Sequence, residues 1–194
     1  MSRPLVLCST SRYRRDLLER LQLPFTCAAP EIDEAPRPQE PVAALSERLA
    51  IAKARALTAV FPDALLIGSD QAASADGRLL GKPMHREAAI AQLLHASGRE
   101  VVFHTAVAVL NAATDSCRVE RDLTCVRFRT LQRREIERYL DQEAALDCAG
   151  SFKCEGLGIA LFDAIETRDP TALIGLPLIA TARLLRCFGV DPLG

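Results

Sequence analysis

Hydroxyl side chains and then arginines follow the first apolar segment of the chain. Ser9 and Ser11 come directly after residues 4–8 (PLVLC), which we expect to form a short buried strand, and Arg14 and Arg15 follow within one helical turn. A strand that ends in such a turn and opens a helix presents free backbone N–H groups and the positive end of a helix dipole. Forked guanidinium donors suit phosphate oxygens. The spacing alone favours a polyphosphate cradle no more than a capped helix with basic surface residues.

An acidic residue and an amide stand at the end of a second apolar segment. Asp70 and Gln71 follow residues 64–68 (ALLIG), which we expect to form a buried strand that ends at this point. Open α/β sheets form their ligand crevices at the carboxyl ends of strands. Asp70 could hold a divalent metal or take a proton from an attacking water, with the Gln71 amide within reach of the ligand. Taken alone, these residues favour an ordinary turn.

Three further charged side chains are dispersed along the sequence. Glu34 lies in an acidic, proline-rich loop, and Lys53 interrupts the apolar stripe of a helix. Lys82 stands between Gly81 and Pro83, a flexible and a rigid neighbour that together can aim a side chain. Most lysines are solvated surface residues, so this group gains a catalytic meaning only if the fold brings its members together.

A glycine-rich segment near the C-terminal end carries another lysine and another glutamate. Residues 148–158 (CAGSFKCEGLG) contain three glycines among small side chains, which allow the backbone to approach a ligand closely. Lys153 and Glu155 could read a phosphate and a base, respectively. The alternative is an ordinary glycine-rich turn that leads into a strand.

Composition and missing motifs exclude several functional classes. The net charge is −1, with 24 basic and 25 acidic residues, whereas a protein that grips nucleic-acid backbone is normally far more basic. Seven cysteines without C-x-x-C spacing argue against a disulfide framework or a zinc knuckle. Neither a signal peptide nor an apolar run of about 18 residues is recognisable, so we expect a cytoplasmic protein. The phosphate-loop, dinucleotide and nucleophile-elbow motifs are absent, and the three histidines lack metal-ligand spacing.

The expected elements intersperse strands and helices without strict βαβ alternation. We expect strands at 4–8, 24–29, 64–68, 100–110, 119–129 and 157–166, and helices at 12–22, 42–60, 86–96, 132–145 and 176–188. Ser11 is expected to cap the first helix, and Asp76-Gly77 to turn a hairpin. The pattern predicts an α/β fold on a mixed sheet, as a single domain over residues 1–194.

Seven segments, taken in order and spacing, resemble the Maf family of nucleoside triphosphate pyrophosphatases, from residue 5 to about 190. They are Ser9-Thr10-Ser11-x-x-Arg14-Arg15, Asp33-Glu34, Leu49-Ala50-x-x-Lys53-Ala54, Gly68-Ser69-Asp70-Gln71, Gly81-Lys82-Pro83, Ala149-Gly150-Ser151-Phe152-Lys153-x-Glu155-Gly156 and Gly175-Leu176-Pro177-Leu178. The resemblance implies a twisted mixed sheet flanked by helices, in two closely packed lobes with a cleft. It also implies a divalent cation such as Mg²⁺ or Mn²⁺, and often a homodimer.

The resemblance also implies roles for individual residues. Asp70 carries over as the catalytic acceptor, with Glu34 as its partner at a metal or water. Arg14, Arg15, Lys53 and Lys82 carry over as phosphate-side residues, and Tyr13, Gln71 and Glu155 as specificity positions. The Ser-Asp-Gln and Ser-Phe-Lys-x-Glu-Gly forms are similar to the YceF-like branch, which is associated with 7-methyl-GTP.

The positive charge of an N7-methylated guanine gives two of these positions a physical meaning. Tyr13 could stack on the base through a cation–π contact, and Glu155 could accept from its N1–H and amino group. Two positions depart from the family pattern. Arg12 stands where the family usually has Pro, which predicts a less rigid first helical turn, and His104-Thr105-Ala106 stands where a Thr-Gly step is usual.

Two other functions stay open at this point. One is a pyrophosphatase for dTTP, UTP or a broader set of modified nucleotides. The other is a nucleotide-binding regulator of cell division without turnover. An intact Asp70 beside a cationic set favours turnover, because a pure binder has no need of a group that activates water.

Overall fold

A computed structural model of the chain describes residues 3–143 and 145–194. Within them the strands are β1 (Leu5–Cys8), β2 (Phe25–Ala28), β3 (Leu65–Ala75), β4 (Arg78–Leu80), β5 (Glu100–Asn111), β6 (Ser116–Phe128) and β7 (Phe162–Glu166). The α-helices are α1 (Arg12–Glu19), α2 (Val42–Arg55), α3 (Arg86–Ala96), α4 (Arg133–Gln142) and α5 (Leu178–Cys187). The sheet runs in the order β2-β1-β3-β5-β6-β7, with β4 paired to β3. Parallel pairs (β1–β2, β1–β3) and antiparallel pairs (β3–β4, β6–β7) confirm a mixed α/β fold.

The chain divides into two compact units. The first comprises residues 1–71, 105–122 and 169–194, and the second comprises residues 72–104 and 123–168.

The first unit has helices on both faces of its strands. Along β1, Leu5 and Leu7 pack into one apolar cluster with α1 and α5, while Val6 and Cys8 pack into another with the end of α2. This alternation is the period of two that a strand with two covered faces requires. All four side chains are buried. The unit is thus a sheet with an apolar core on each side.

The second unit is organised around four aromatic rings. Phe103, Phe128, Phe152 and Phe162 pack edge to face, with ring centroids 4.7 to 5.6 Å apart. Such T-shaped pairs are the preferred geometry of aromatic side chains. They tie the glycine-rich segment, through Phe152, to strands β5, β6 and β7.

Several boundaries differ from those expected. Helix α1 ends at Glu19 and α2 ends at Arg55, and at both places the chain continues in tighter turns; after α1, Gln22 adopts a positive φ of 55°. The strand expected at 157–166 begins only at Phe162, since residues 157–161 form a 3₁₀ turn. Among the cysteines, Cys8 is buried, Cys27 and Cys187 are exposed, and the other four are partly buried.

Strand β3 is longer than expected, and this difference changes where the site residues lie. It continues seven residues past Gly68, so Asp70 and Gln71 lie inside the strand and not at its end. The turn expected at Asp70 and Gln71 was wrong. Residues 69–75 (SDQAASA) lack the alternating apolar pattern by which a strand is recognised in a sequence. Their polar groups are satisfied inside the protein, which allows a strand to run there. The turn comes at Asp76-Gly77, both with positive φ, as the sequence predicts.

Candidate active site

The turn before α1 is held by its own hydroxyls. Ser9 Oγ accepts from the Ser11 backbone N–H at 3.1 Å, and Ser11 Oγ accepts from the Arg14 N–H at 3.5 Å. The second contact is the N-cap expected from the sequence. The two serines therefore order the start of the helix, where the dipole favours an anion.

Arg14 and Arg15, both in α1, have different surroundings. Arg14 Nε donates to the Gly175 carbonyl oxygen at 2.9 Å. Burial lowers the pKa of the Arg14 guanidinium, while the charges of Asp70 and Glu34 oppose that shift. Arg15 is exposed and pairs with Asp16 and Glu19 of its own helix, at 3.3 and 3.6 Å. The structure thus places Arg14 within electrostatic reach of both acids, whereas Arg15 pairs with acids of its own helix.

The ring of Tyr13 packs against the guanidinium group of the neighbouring Arg12. The Arg12 guanidinium carbon lies 4.8 Å from the ring centroid, and Arg12 Nη2 donates to the Tyr13 hydroxyl at 3.0 Å. Cation–π attraction accounts for this arrangement. The arginine that replaces the usual proline therefore packs on the residue expected to meet the base.

A lysine joins the two acids that the sequence singled out. Lys53 Nζ lies 2.6 Å from Asp70 Oδ1 and 2.8 Å from Glu34 Oε1. The side chains of Lys53 and Asp70 are 7% and 10% exposed, whereas that of Glu34 is 57% exposed. The ion pair between Lys53 and Asp70 is thus buried, and Glu34 contacts the same lysine from the surface. Of the dispersed group, Glu34 and Lys53 thus meet at Asp70, whereas Lys82 belongs to the second unit.

Gly68 makes this convergence possible. A Cβ at this position would overlap the Ala50 carbonyl oxygen and lie 2.8 Å from the Ala54 nitrogen. The backbone of α2 therefore lies directly against β3, with Lys53 between those two contact points. Sequence reasoning used Gly68 only as a motif residue and missed that it sets the distance between helix and strand.

Ser69 and Gln71 hold the turn that precedes α5. Ser69 Oγ lies 2.8 Å from the Ala106 carbonyl oxygen and 3.0 Å from that of Gly175. Gln71 Nε2 lies 3.0 Å from the carbonyl oxygens of Ala172 and Leu173, and also 3.0 Å from Thr105 Oγ1. Ser69 and Gln71 thus both bind the backbone of residues 172–175. The sequence analysis did not assign this structural role to them.

The two acids form a donor set that fits Mg²⁺. This ion is usually held by one or two carboxylates and completes its shell with waters and substrate phosphates. Asp70 and Glu34 both reach the same ammonium group, so their oxygens lie near one another. Within the ranges the structure describes, no group of three His, Cys, Asp or Glu side chains is arranged for a metal. Asp70 and Glu34 are thus the residues that could hold such a cation.

In the second unit, the three predicted site residues differ in exposure. Lys82 and Glu155 are exposed, whereas Lys153 is buried. Cys154 Sγ lies 3.6 Å from Glu155 Oε2. Burial, together with the Glu155 charge, raises the pKa of the Cys154 thiol to about 12, so this cysteine stays protonated near neutral pH.

The end of α4 holds the segment that carries Lys153. The Tyr139 hydroxyl accepts from the Lys153 backbone N–H at 3.1 Å. Glu143 lies 3.8 Å from Lys153 Nζ through Oε1, and accepts from the Leu157 N–H at 2.9 Å through Oε2. Sequence reasoning missed both residues. Their only sequence signal is a tyrosine and a glutamate four residues apart, the spacing of neighbours on a helical face, and in the structure Glu143 lies directly after the end of α4.

No helix in the described part of the chain has both the length and the apolar character that crossing a membrane requires.

Comparison with known proteins places these residues in a family. A family model described as "Maf-like protein" matches residues 4–188. A protein of Xanthomonas oryzae pv. oryzae named "7-methyl-GTP pyrophosphatase" is 59% identical over 182 residues, which cover 94% of this chain and 95% of that protein. Proteins of the same name from Aromatoleum aromaticum and Albidiferax ferrireducens are 55% and 50% identical, covering 96% and 100% of this chain and 96% and 98% of their own lengths. This chain belongs to the Maf family.

Proposed function

We propose that this protein hydrolyses 7-methyl-GTP to the nucleoside monophosphate and pyrophosphate. The relatives that bear this activity in their names match almost the whole chain at 50 to 59% identity. The observation that carries the proposal is the convergence of Asp70, Lys53 and Glu34, with the Arg14 guanidinium in the same electrostatic neighbourhood. The set combines a group that can take a proton with cationic groups that can hold a triphosphate.

In the proposed reaction, water attacks the α-phosphorus and pyrophosphate leaves. The Asp70 carboxylate accepts the proton of the attacking water, while Lys53 fixes the orientation of that carboxylate. Arg14 neutralises the oxygens of the triphosphate, with the start of α1 as a second positive element. Charge that grows on the phosphoryl oxygens is thereby stabilised by groups already in place. Arg15, Lys82 and Lys153 stay predictions on the phosphate side.

The proposed cofactor is a divalent cation held by Asp70 and Glu34. When bound, it supplies Lewis-acid stabilisation of the phosphate charge. Before the cation binds, the Lys53 ammonium, which contacts both carboxylates, keeps them from repelling one another. The homodimer and the cytoplasmic location that we expect from the sequence also stay predictions.

Recognition of the methylated base is assigned to Tyr13 and Glu155. The Tyr13 ring packs against a cationic group in this structure, which supports its affinity for a positively charged base. Glu155 is exposed and acidic, so it can accept from the guanine edge and offset that charge. We expect Glu155→Gln to lower the preference for 7-methyl-GTP over GTP while both are still hydrolysed. An unchanged preference would remove Glu155 from this role.

The experiment that tests the reaction follows its products in ¹⁸O-labelled water. We expect 7-methyl-GTP and Mg²⁺ to give labelled 7-methyl-GMP and unlabelled pyrophosphate, because the water oxygen bonds to the α-phosphorus. Asp70→Asn is expected to lower kcat by about 100-fold or more. The exposed Asp63→Asn is the matched control and is expected to retain activity. A diphosphate product, or full activity in Asp70→Asn, would contradict the mechanism.

A further inference from the structure

One backbone carbonyl receives donors from two distant parts of the first unit. The Gly175 oxygen lies 2.9 Å from Arg14 Nε and 3.0 Å from Ser69 Oγ. Gly175 has a φ of 128°, a conformation that L-residues rarely adopt, so the direction of this carbonyl depends on the glycine. A phosphate-side arginine and a residue next to Asp70 therefore meet at the same acceptor.

Ser69 is suited to hold that carbonyl in place. Its side chain is fully buried, and its single hydroxyl proton is shared between the Gly175 and Ala106 oxygens. Ala106 belongs to β5, so the hydroxyl connects the turn to a neighbouring strand. The same turn is held further back, at Ala172, by Thr105 Oγ1 at 3.0 Å. The position of the Gly175 oxygen is thus set by the sheet.

We propose that Ser69 is a positioning residue for Arg14, acting through the Gly175 carbonyl. Nε is one of five donors on the guanidinium. Its bond to Gly175 fixes the plane of the group, and the terminal nitrogens are then aimed as a fork at the triphosphate. This role rests on the proposed function, in which Arg14 binds phosphate. Ser69 itself touches no substrate.

The competing explanation is that Ser69 merely satisfies buried carbonyls of the core. The two roles differ in what a substitution changes. A purely structural serine alters stability without a specific effect on phosphate. A positioning serine weakens phosphate binding, and its effect depends on the presence of Arg14.

The test combines Ser69→Ala with Arg14→Lys in a double-mutant cycle. Ser46→Ala is the matched control, because Ser46 is also fully buried and its hydroxyl donates only within α2, to the Ala43 carbonyl at 3.1 Å. Binding of inorganic pyrophosphate with Mg²⁺ is measured by calorimetry, kcat and KM are measured for 7-methyl-GTP and GTP, and thermal unfolding is recorded for every variant.

We expect Ser69→Ala to weaken pyrophosphate binding roughly three- to tenfold, the range that loss of one hydrogen bond allows. We expect kcat/KM to fall by a similar factor for both nucleotides, so that their ratio is unchanged. In the Arg14→Lys background, Ser69→Ala should cause little further loss. Ser46→Ala should bind pyrophosphate as the wild type does.

Several results would overturn the proposal. The first is an unchanged affinity of Ser69→Ala for pyrophosphate. The second is a double variant in which the losses of affinity caused by the two substitutions multiply. The third is a changed ratio of kcat/KM between 7-methyl-GTP and GTP in Ser69→Ala. Failure of the wild type to bind pyrophosphate would overturn it too, since Arg14 would then hold no phosphate. Pyrophosphate binding with the expected cycle, but no hydrolysis of 7-methyl-GTP, would refute the proposed function and leave the role of Ser69 intact.

Discussion

Lys53 Nζ lies 2.6 Å from Asp70 Oδ1, and the two side chains are almost completely enclosed. The pair joins the middle of β3 to α2, and Glu34 shares the same ammonium group from a more exposed position. A charge withdrawn from water to this extent depends on its partner. The pair thus links the stability of the first unit to the chemistry proposed for Asp70.

Removal of the lysine tests that link. We expect Lys53→Met to lower the free energy of unfolding by on the order of 3 kcal/mol, because Asp70 is left as a buried charge without its partner. Urea unfolding measures the change. Lys82→Met is the matched control for stability, since Lys82 is exposed, and it should unfold close to the wild type. Equal losses in both variants would show that the buried pair is not special.

The close approach of α2 to β3 at Gly68 gives a second prediction. Gly68→Ala places a methyl group onto the Ala50 carbonyl, so the helix must move away. We expect a loss of at least about 2 kcal/mol in the free energy of unfolding. We also expect lower activity in the fraction that stays folded, because the lysine on the displaced helix no longer meets Asp70.

The control for this substitution is Gly81→Ala, where a Cβ would meet no atom within 4 Å. Its unfolding midpoint in urea should match that of the wild type. If Gly68→Ala were equally harmless, the packing of α2 on β3 would not determine the site.

Glu143 gives a prediction about the second unit. Glu143→Ala removes both the Lys153 ion pair and the acceptor for the Leu157 N–H, so the segment that carries Glu155 loses its support. We expect the kcat/KM ratio of 7-methyl-GTP to GTP to fall by roughly three- to tenfold. Glu143→Gln keeps an acceptor for the N–H and should restore part of the ratio. A ratio unaffected by either change would mean that the segment needs no such support.

The acidic loop before α2 gives a prediction about pH. Hydrogen bonds from the Arg48 side chain and the Arg37 backbone lower the pKa of the Glu40 carboxyl from 4.5 to about 2. The carboxylate therefore contributes stability that is present above pH 4.5 and is lost as the pH falls towards 2. Glu40→Gln should be less stable than the wild type at pH 6, and the difference should shrink by pH 3.

Urea midpoints across that range measure the difference, with Glu31→Gln as an exposed control from the same loop. A difference that stays constant down to pH 3 would contradict the shift. Arg48 also donates to the Ala35 carbonyl at 3.0 Å, next to Glu34, so the same bonds order the loop that brings Glu34 to Lys53.

Local sequence patterns predicted several of the secondary-structure elements. The Ser11 cap, the Asp76-Gly77 hairpin and helix α3 lie where the sequence placed them, because each depends on a few neighbouring residues. The position of Asp70 inside a strand depends instead on acceptors far along the chain, such as the Gly175 carbonyl that Ser69 reaches. No local pattern contains such a contact.

The candidate site shows the same division. Residue types and family resemblance identified Asp70, Lys53 and Glu34, and the fold brings them together. The sequence offered no reason to expect that Arg15 would pair within its own helix, or that Glu143 would reach Lys153. Those outcomes depend on side-chain directions that only the packed structure determines.

The most direct test of the account is pyrophosphate release, with Mg²⁺ or Mn²⁺, from 7-methyl-GTP beside GTP, dTTP, UTP and CTP. We expect kcat/KM for 7-methyl-GTP to exceed that for every other nucleotide by at least about tenfold, and we expect Asp70→Asn to lower release from all of them by about 100-fold or more. A preference for dTTP or UTP would contradict the assigned substrate. Binding without release from any nucleotide would contradict the assignment of this protein as an enzyme.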